Sequence, residues 1–347
     1  MTQSPTRKIL ITGASGFLGS EIVAAARNHG WSVRAFDRNH GSHPDDVEAV
    51  IGDLKNYDSL RNACEGVSAI VHAAGLAHLF GRAAKDAACF DEVNEQGTAC
   101  VAKAAAETGV RNMVLVSSVS VYGSYAGDSC NEDRPCHPTS PYAVSKWKGE
   151  RQAILQASAS ACSLSILRFA TIYGEGDRGN VARLIRSLQR GRFVWPGRGL
   201  NRKSLIYKTD AALACVRALN CPSPGVRTFN VSSSPANMRE IVSAICDSLR
   251  RPVPRLTIPL PVITAAAACS RILGDPADLS GKLAKFIRDD VYDASRFNSV
   301  FQFQPGTPLV EGLRLEVEYL LSLDKTSGTR PLALQESSVM SEKRVRP

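Results

Sequence analysis

The sequence has few features of a metalloprotein or a secreted protein. Its ten cysteines form no Cys-x-x-Cys pair, no cluster with histidine and no regular framework, so we expect neither a bound metal nor disulfides. They are interpreted as small buried apolar residues in a reducing cytoplasm. Residues 1–8 are polar and contain no apolar signal-peptide core. These absences predict a cytoplasmic protein without a metal.

A long apolar run is also absent. The longest uncharged stretch, Leu256–Ser270, is interrupted by Pro259 and Pro261 and is too short to span a bilayer. It is interpreted as a buried, Ala-rich helix after a Pro-rich loop, in preference to an element on a membrane surface. We therefore predict no membrane span.

Acidic residues are missing from one basic segment of a chain whose formal charge is +9. The segment contains eight basic residues: Arg178, Arg183, Arg186, Arg190, Arg192, Arg198, Arg202 and Lys203. Such a segment could face nucleic acid, an anionic membrane or a polyphosphate ligand. Its helical arginines also share one side, which is typical of a solvated face. No nucleic-acid-binding motif accompanies the segment, so nucleic acid is not an expected partner.

Short apolar runs alternate with amphipathic segments through the first half of the chain. Predicted strands cover Lys8–Thr12, Ser32–Phe36, Ala69–His72, Asn112–Ser117 and Ser163–Phe169, with another short strand before Asp53. Predicted helices cover Gly19–His29, Tyr57–Cys64, Val93–Glu107 and Tyr142–Ala157. This alternation predicts an α/β fold with a Rossmann-type, doubly wound parallel sheet that has helices on both faces.

A glycine-rich loop joins the first predicted strand to the first helix. Gly13, Gly16 and Gly19 allow a tight turn and let a dinucleotide pyrophosphate approach the helix N-terminus. The other loop positions assigned to the cofactor are Ser15, Phe17 and Leu18. The spacing is G-x-x-G-x-x-G, and such a set can also be only a tight turn.

Asp37 is the acid expected to bind a ribose 2′-hydroxyl. It ends the second strand, 18 residues after Gly19. Its carboxylate would repel a 2′-phosphate, so NAD is favoured as the cofactor. Arg38 keeps NADP as the less favoured alternative, because an arginine can accommodate the extra phosphate.

Two further strand ends are assigned to the cofactor. Asp53-Leu54 follows the third short strand, where the carboxylate could accept from the adenine amino group or could cap a helix. His72 is followed by Ala73, Ala74 and Gly75, whose small side chains would let the cofactor lie close. His72 itself is interpreted as a hydrogen-bonded core residue.

Tyr142 and Lys146 are the candidate catalytic pair. Ser140-Pro141 suits an N-cap and a first helical position, and the two catalytic candidates then share one helix face. A tyrosine with its usual pKa of about 10 is a poor base at neutral pH. A neighbouring ammonium and the charge of a nicotinamide would lower that pKa. One hydroxyl of Ser117-Ser118 could hydrogen-bond the reacting oxygen.

Taken together, these motifs resemble those of an extended short-chain dehydrogenase/reductase of the NAD-dependent epimerase/dehydratase family, which acts on nucleotide sugars. The matching segments are TGASGFLG (12–19), HAAGLAH (72–78), VNEQGT (93–98), VSSVSVYG (116–123), SPYAVSKWKGE (140–150), LRFATIYGEGD (167–177), RKSLIYKTDAA (202–212) and FQPGTPLVEGL (303–313). The resemblance implies that Ser118 is the catalytic serine and that Asn94 contacts the cofactor region. It also implies a homodimer formed through the helix that carries Tyr142.

The same resemblance implies a substrate site. The family arginine that binds the substrate diphosphate corresponds to Lys203, with Arg202 beside it, and which of them takes this role stays open. Phe193 and Trp195 either line the nucleoside pocket or pack the lobe. The full set of predicted substrate residues is Ser118, Tyr142, Thr171, Phe193, Trp195, Arg202, Lys203 and Arg288.

The domain prediction follows a change of pattern after Gly174. Residues 1–173 are predicted to form the NAD-binding Rossmann domain, to which residues 204–250 and 286–300 return. Residues 174–203 and 251–285 are predicted to form a smaller C-terminal substrate lobe built from late insertions. Residues 325–347 have little apolar content and are predicted to be a disordered tail.

The predicted reaction is 4-epimerisation of a UDP-hexose or UDP-N-acetylhexosamine, in polysaccharide biosynthesis, through a transient 4-keto intermediate. The family's dehydratases carry an Asp-Glu pair where this chain has Val119-Ser120, so dehydration is disfavoured. The alternatives are an NAD(P)H-dependent 4-keto sugar reductase and a 3β-hydroxysteroid-type dehydrogenase. A non-catalytic dinucleotide-binding regulator is a further alternative, which the Tyr142 and Lys146 pair disfavours.

Overall fold

The structure, a computed structural model, describes residues 7–77, 83–125, 129–221, 224–259, 261–262 and 287–327. Seven parallel strands form its central sheet in the order β11-β6-β5-β4-β1-β2-β3. These strands are β1 (Lys8–Thr12), β2 (Ser32–Asp37), β3 (Glu48–Ile51), β4 (Ala69–His72), β5 (Asn112–Ser118), β6 (Ser163–Phe169) and β11 (Val226–Val231). Neighbouring strands are parallel throughout, as in the pairing of Ile9 with Val33 and with Ala69.

Helices cover both faces of this sheet. The helices are α1 (Phe17–Asn28), α2 (Tyr57–Cys64), α3 (Ala83–Phe90), α4 (Gly97–Glu107), α5 (Pro141–Ser158), α6 (Asn180–Gln189), α7 (Lys208–Asn220), α8 (Met238–Ser248), α9 (Ser295–Phe301) and α10 (Leu309–Ser327). One apolar cluster joins the sheet to α1, α7 and α9, and a second joins it to α2, α4 and α5. The predicted doubly wound Rossmann-type sheet is therefore confirmed.

The strand order places a ligand site beside β1. The chain runs outward from β1 to β2 and β3 and then crosses to β4 on the other side of β1. In such sheets the ligand lies at the carboxyl ends of the strands where the order reverses. The predicted element bounds are close, but the helix predicted over Val93–Glu107 is divided into a π-helical turn, Asp91–Gln96, and α4.

A smaller lobe has an apolar core of its own, formed mainly by α6, α8 and α10. Its short strands are β7 (Thr171–Tyr173), β8 (Trp195–Pro196), β9 (Arg202–Lys203), β10 (Leu205–Tyr207), β12 (Ala236–Asn237) and β13 (Thr257–Ile258). They pair as β7 with β10, β9 with β12 and β8 with β13. The lobe core thus includes α8 and α10, which lie outside the two predicted insertions. The predicted domain division stays a prediction.

Three sequence interpretations need correction or limitation. Within Leu256–Ser270, Leu256 and Ile258 are exposed and belong to an extended ribbon, while residues 263–270 lie outside the described part. The predicted tail begins inside α10, which continues to Ser327, and residues 328–347 are not described. The interpretation of the cysteines as buried residues is wrong for Cys89 and Cys221, which are exposed.

The described ranges contain no group of three or more His, Cys, Asp or Glu side chains arranged to hold a metal ion. No helix there is long and apolar enough to cross a bilayer.

Candidate active site

At Gly13 and Gly19, the glycine-rich turn from β1 into α1 has no space for a side chain. Gly13 has φ +69°, and a Cβ on it would lie 2.7 Å from the Cα of Ala74. A Cβ on Gly19 would lie 1.9 Å from the carbonyl oxygen of Gly13. Gly16 is the N-cap of α1, so the first amides of that helix have no capping side chain. This bare helix N-terminus fits a dinucleotide pyrophosphate.

Asp37 lies at the end of β2, directly beside this loop. Its carboxylate accepts from the Ser15 amide at 3.0 Å and from the Ser15 hydroxyl at 2.9 Å. The His43 ring lies 3.4 Å from the same carboxylate. Arg38 is exposed. The carboxylate is therefore held at the edge of the cofactor crevice, where a ribose hydroxyl would replace or join its present donors.

We predict that NAD binds more tightly than NADP, because the carboxylate of Asp37 accepts from a free 2′-hydroxyl and repels a 2′-phosphate. Titration of the protein with each nucleotide, followed by tryptophan fluorescence or calorimetry, measures the preference. Asp37→Asn should narrow it, because the amide keeps the shape and removes the repulsion. Tighter binding of NADP to the parent protein would shift the ribose site to Arg38.

The geometry around Asp53 excludes one of its two predicted roles. Its carboxylate accepts from the Lys55 amide at 2.9 Å. The N-cap of α2 is instead Asn56, whose side chain accepts from the Ser59 amide at 3.1 Å. The helix-cap interpretation of Asp53 is therefore wrong, and its adenine contact stays a prediction. Leu54 is buried and lies against Gly97.

His72 is a core residue, as interpreted from the sequence. It is fully buried, and its ring nitrogens lie 2.7 Å from the Thr12 hydroxyl and 3.0 Å from the Thr98 hydroxyl. Burial, together with the charge of Lys146, lowers the pKa of His72 to about 3. The ring is therefore neutral at physiological pH and joins β1, β4 and α4.

Asn94 lies in the π-helical turn and fixes the chain after β4. Its side-chain oxygen accepts from the Leu76 amide at 2.9 Å, and its amide donates to the Leu76 carbonyl and to the Ser145 hydroxyl, both at 3.0 Å. A Cβ on Gly75 would meet this side-chain oxygen at 3.1 Å and the Lys146 ammonium at 3.8 Å. Asn94 thus brings the segment after β4 against the catalytic helix.

Tyr142 enters the site from the first turn of α5. The Ser140 side chain caps this helix by accepting from the Ala143 amide at 3.2 Å, and Pro141 follows, as predicted. The Tyr142 ring packs edge-on against Phe90. Burial raises the pKa of Tyr142, and a hydrogen bond with Ser118 offsets only part of this effect. Burial thus acts against the predicted fall of this pKa, and the effect of the Lys146 and nicotinamide charges on it stays a prediction.

Lys146 lies one turn further along α5 and is buried. Its ammonium donates to the Val116 carbonyl at 2.6 Å, which holds it beneath the end of β5. Burial lowers the pKa of Lys146 to about 8, although the charge of Glu150 acts in the opposite direction. Lys146 is therefore the group of the site whose charge is most sensitive to alkaline pH.

The lowered pKa predicts an alkaline limit of activity. The Lys146 ammonium is lost as the pH rises through about 8, so kcat should fall along a one-proton limb in that range. Lys146→Arg should remove the limb, because a guanidinium stays protonated. Lys148→Arg on the helix surface is the matched control and should leave the limb in place. A limb that persists unchanged in Lys146→Arg would assign it to another group.

A buried ion pair that sequence reasoning missed lies directly behind the catalytic groups. Glu150 and Arg168 are both buried and form two hydrogen bonds, at 3.0 and 2.6 Å. The Ser117 hydroxyl donates to Glu150 at 2.5 Å. Because Ser117 is engaged there, the geometry favours Ser118, which is bonded to Tyr142, as the catalytic serine. The i, i+4 spacing of Glu150 from Lys146 was a sequence signal only for the effect of its charge on Lys146.

The predicted substrate residues of the lobe make strong contacts within the protein. Arg202 pairs with Asp289 at 3.0 Å, and Lys203 pairs with Asp290 at 2.6 Å. Lys203 also donates to the carbonyl of Arg288, whose side chain is exposed. A diphosphate bound here would have to compete with two carboxylates, and the role of both cations stays a prediction.

The two predicted nucleoside-pocket aromatics lie in the lobe core. Phe193 and Trp195 are buried and pack edge-on with centroids 5.0 Å apart. The Trp195 indole donates to the Pro254 carbonyl at 2.6 Å, and Arg239 lies over its ring. These contacts favour the packing interpretation for both residues. Thr171, at the start of β7, is exposed.

The chain is similar to known proteins over most of its length. The sequence model of the "NAD dependent epimerase/dehydratase family" matches residues 9–232. The N-acetyl-alpha-D-glucosaminyl-diphospho-ditrans,octacis-undecaprenol 4-epimerase of Escherichia coli O157:H7 is 28% identical, over 90% of this chain and 94% of that protein. The UDP-glucose 4-epimerase of Vibrio cholerae is 24% identical, over 91% and 96%. The solved structure of MoeE5 in complex with UDP-glucuronic acid and NAD is 28% identical, with a TM-score of 0.74 over 91% of this chain and 99% of that chain.

Proposed function

Since this chain belongs to the NAD-dependent epimerase/dehydratase family and is an NAD-dependent enzyme of the extended short-chain dehydrogenase/reductase type, we propose that it is a nucleotide-sugar 4-epimerase. Its substrate is a UDP-hexose or a UDP-N-acetylhexosamine, and the reaction passes through a transient 4-keto sugar. Two relatives named as 4-epimerases support the proposed reaction, because the matches span nearly the whole of each. The second of them, named for UDP-glucose, also supports a nucleotide sugar as the substrate.

One observation carries the choice of hydroxyl oxidation and reduction over dehydration. Ser118, Tyr142 and Lys146 come together at the carboxyl ends of the strands, and Val119-Ser120 beside them offers no acid or base. The nearest buried carboxylate described, Glu150, is engaged by Arg168 and Ser117. A water elimination needs a further acid and base near the sugar, whereas the reversible oxidation of one hydroxyl needs only the phenol and its partners.

The chain's own residues supply the proton transfer. Bound NAD would supply the carbon that takes hydride from C4 of the sugar and later returns it. Tyr142 takes the proton of the C4 hydroxyl during oxidation and gives it back during reduction. Ser118 holds the reacting oxygen at the phenol. The Lys146 ammonium stabilises the phenolate, because opposite charges favour each other in a buried site.

Epimerisation also requires that the keto sugar rotate while the rest of the substrate stays bound. We propose that the substrate is held through its diphosphate, which Arg202 and Lys203 bind. Two strong charges at a distance from C4 hold the molecule without fixing the orientation of the sugar ring. The homodimer formed through α5 and a cytoplasmic location are further parts of the proposal.

The test is incubation of the purified protein with UDP-glucose and with UDP-N-acetylglucosamine, without added reductant. Interconversion with the galacto epimers, followed by NMR, would support the proposal. Turnover only of a 4-keto sugar with added NADH or NADPH would make the enzyme a reductase. A third incubation uses a polyprenyl-diphosphate-linked N-acetylglucosamine, because one relative acts on such a lipid. Turnover of that substrate alone would keep the chemistry and change the carrier.

We predict that replacing Arg202 and Lys203 together with Ala raises KM for the nucleotide sugar at least about tenfold, the effect of losing one charge-assisted contact. NAD affinity should barely change, because the pyrophosphate loop is separate. Asp289→Asn is the control, since it releases Arg202 from its present partner and should not weaken substrate binding. An unchanged KM in the double variant would remove both cations from the substrate site.

A further inference from the structure

The lobe has an exposed apolar ribbon on its surface. Ten large apolar side chains are exposed in the described ranges, and four of them belong to this ribbon, which comprises residues 253–259 and 261–262: Val253, Leu256, Ile258 and Val262. Leu256 is the most exposed of them, at 67%. Scattered exposed apolar residues are ordinary, but a group of them within one segment marks a surface that binds something.

The fold holds this ribbon in place with its side chains outward. Its backbone pairs with β8, where the amide of Trp195 donates to the Leu256 carbonyl at 2.9 Å and the amide of Gly197 donates to the Ile258 carbonyl at 3.0 Å. The Trp195 indole holds the Pro254 carbonyl from the buried side. The ribbon is therefore an ordered edge of the lobe with an apolar outer surface.

Exposed arginines flank the ribbon in the described ranges. Arg198, Arg251 and Arg255 are exposed, and none of them forms an ion pair with another residue of the described ranges. No acidic residue occurs between positions 248 and 262 or between positions 178 and 203. The acids on α8 are Glu240, which is engaged in the capping box, and Asp247, which is exposed. Exposed apolar side chains and arginines without an ion pair thus lie along β8, β13 and the residues that flank them.

We infer that this ribbon docks the lobe on an anionic lipid bilayer surface. Leu256 and Ile258 would enter the interface between headgroups and acyl chains, while Arg251 and Arg255 would lie against lipid phosphates. Charge complementarity favours this occupant over a second copy of the chain, which would place two arginine-rich faces against each other. The docking is peripheral and does not depend on which sugar the enzyme converts.

Sedimentation with lipid vesicles tests the inference, using the full chain loaded with NAD. We expect binding to phosphatidylcholine vesicles that contain about one-third phosphatidylglycerol, weaker binding at high salt, and little binding to pure phosphatidylcholine. No binding to the anionic vesicles, or equal binding to both kinds, would overturn the inference. Neither result bears on the epimerase assay, so the two proposals fail separately.

Variants connect the binding to the ribbon. Leu256→Asp combined with Ile258→Asp should abolish sedimentation, and Arg251→Gln combined with Arg255→Gln should weaken it about fivefold for each arginine. Val310→Asp is the matched control, because Val310 is 62% exposed on α10. NAD affinity and circular dichroism confirm that each variant is folded. Unchanged sedimentation of the Leu256 and Ile258 variant would overturn the inference, as would loss of a dimer in that variant without loss of lipid binding.

Discussion

Tyr142→Phe is expected to lower kcat by at least about 10²-fold, within the usual range for losing a general acid–base. The Tyr142 phenol is hydrogen-bonded to Ser118. Among the described groups that contact Ser118, only this phenol can exchange a proton with a sugar hydroxyl. The Phe ring keeps the edge-on packing with Phe90. NAD affinity, measured by titration, should therefore stay close to that of the parent enzyme.

A matched control separates this effect from a general loss of activity. Tyr57→Phe removes a hydroxyl that donates a hydrogen bond to Glu107, the last residue of α4, and should leave turnover unchanged. Near-normal turnover in Tyr142→Phe would remove Tyr142 from the mechanism. A loss of both turnover and NAD affinity would instead point to a damaged fold.

Glu150→Ala is expected to lower the free energy of unfolding by about 3–5 kcal/mol, the usual cost of breaking a buried ion pair from one side. The substitution leaves the buried guanidinium of Arg168 and the hydroxyl of Ser117 without their carboxylate. Native domains have only about 5–15 kcal/mol of stability, so this is a large part of the total. Urea unfolding measures the change.

A double variant that also replaces Arg168, the partner of Glu150, provides the internal control. Combining Glu150→Leu with Arg168→Met removes both charges and should recover much of the lost stability, as paired apolar replacements of buried ion pairs do. Glu318→Ala breaks an exposed pair with Arg314 and should change stability little.

Glu150→Ala should also move the alkaline limb of activity to lower pH, because it removes the charge that raises the pKa of Lys146. An unchanged limb would limit Glu150 to a structural role.

Much of the fold and of the reacting centre could be predicted from the sequence. The alternation of apolar runs and amphipathic segments is a local pattern. It predicted the parallel sheet and the strand ends that meet in the crevice. The glycines of the loop at Gly13 and the cap at Ser140-Pro141 are also local signals, because φ freedom and a first helical turn involve only neighbouring residues. The spacing of Tyr142 and Lys146 follows in turn from that helix.

Contacts between distant residues were beyond such patterns. The Ser117 and Glu150 hydroxyl–carboxylate contact joins residues 33 positions apart, and the Arg202 pair with Asp289 joins residues 87 positions apart. The family resemblance and the local charge suggested Arg202 and Lys203 as cations for a ligand, whereas the fold provides each with a carboxylate. The sequence left Trp195 open between a nucleoside pocket and packing of the lobe, and the fold buries the ring.

The pKa values of the buried groups show the same division. The sequence by itself determined which titratable residues reach the site, since their order and spacing depend on the strands and helices that carry them. Only the tertiary structure decided their charge, because desolvation depends on every element that packs around a group. Burial raises the pKa of Glu316 to about 9 where it accepts from the Gly174 amide, and the same effect lowers that of Lys146 to about 8. Local sequence specifies the candidates, and packing of distant segments specifies their surroundings.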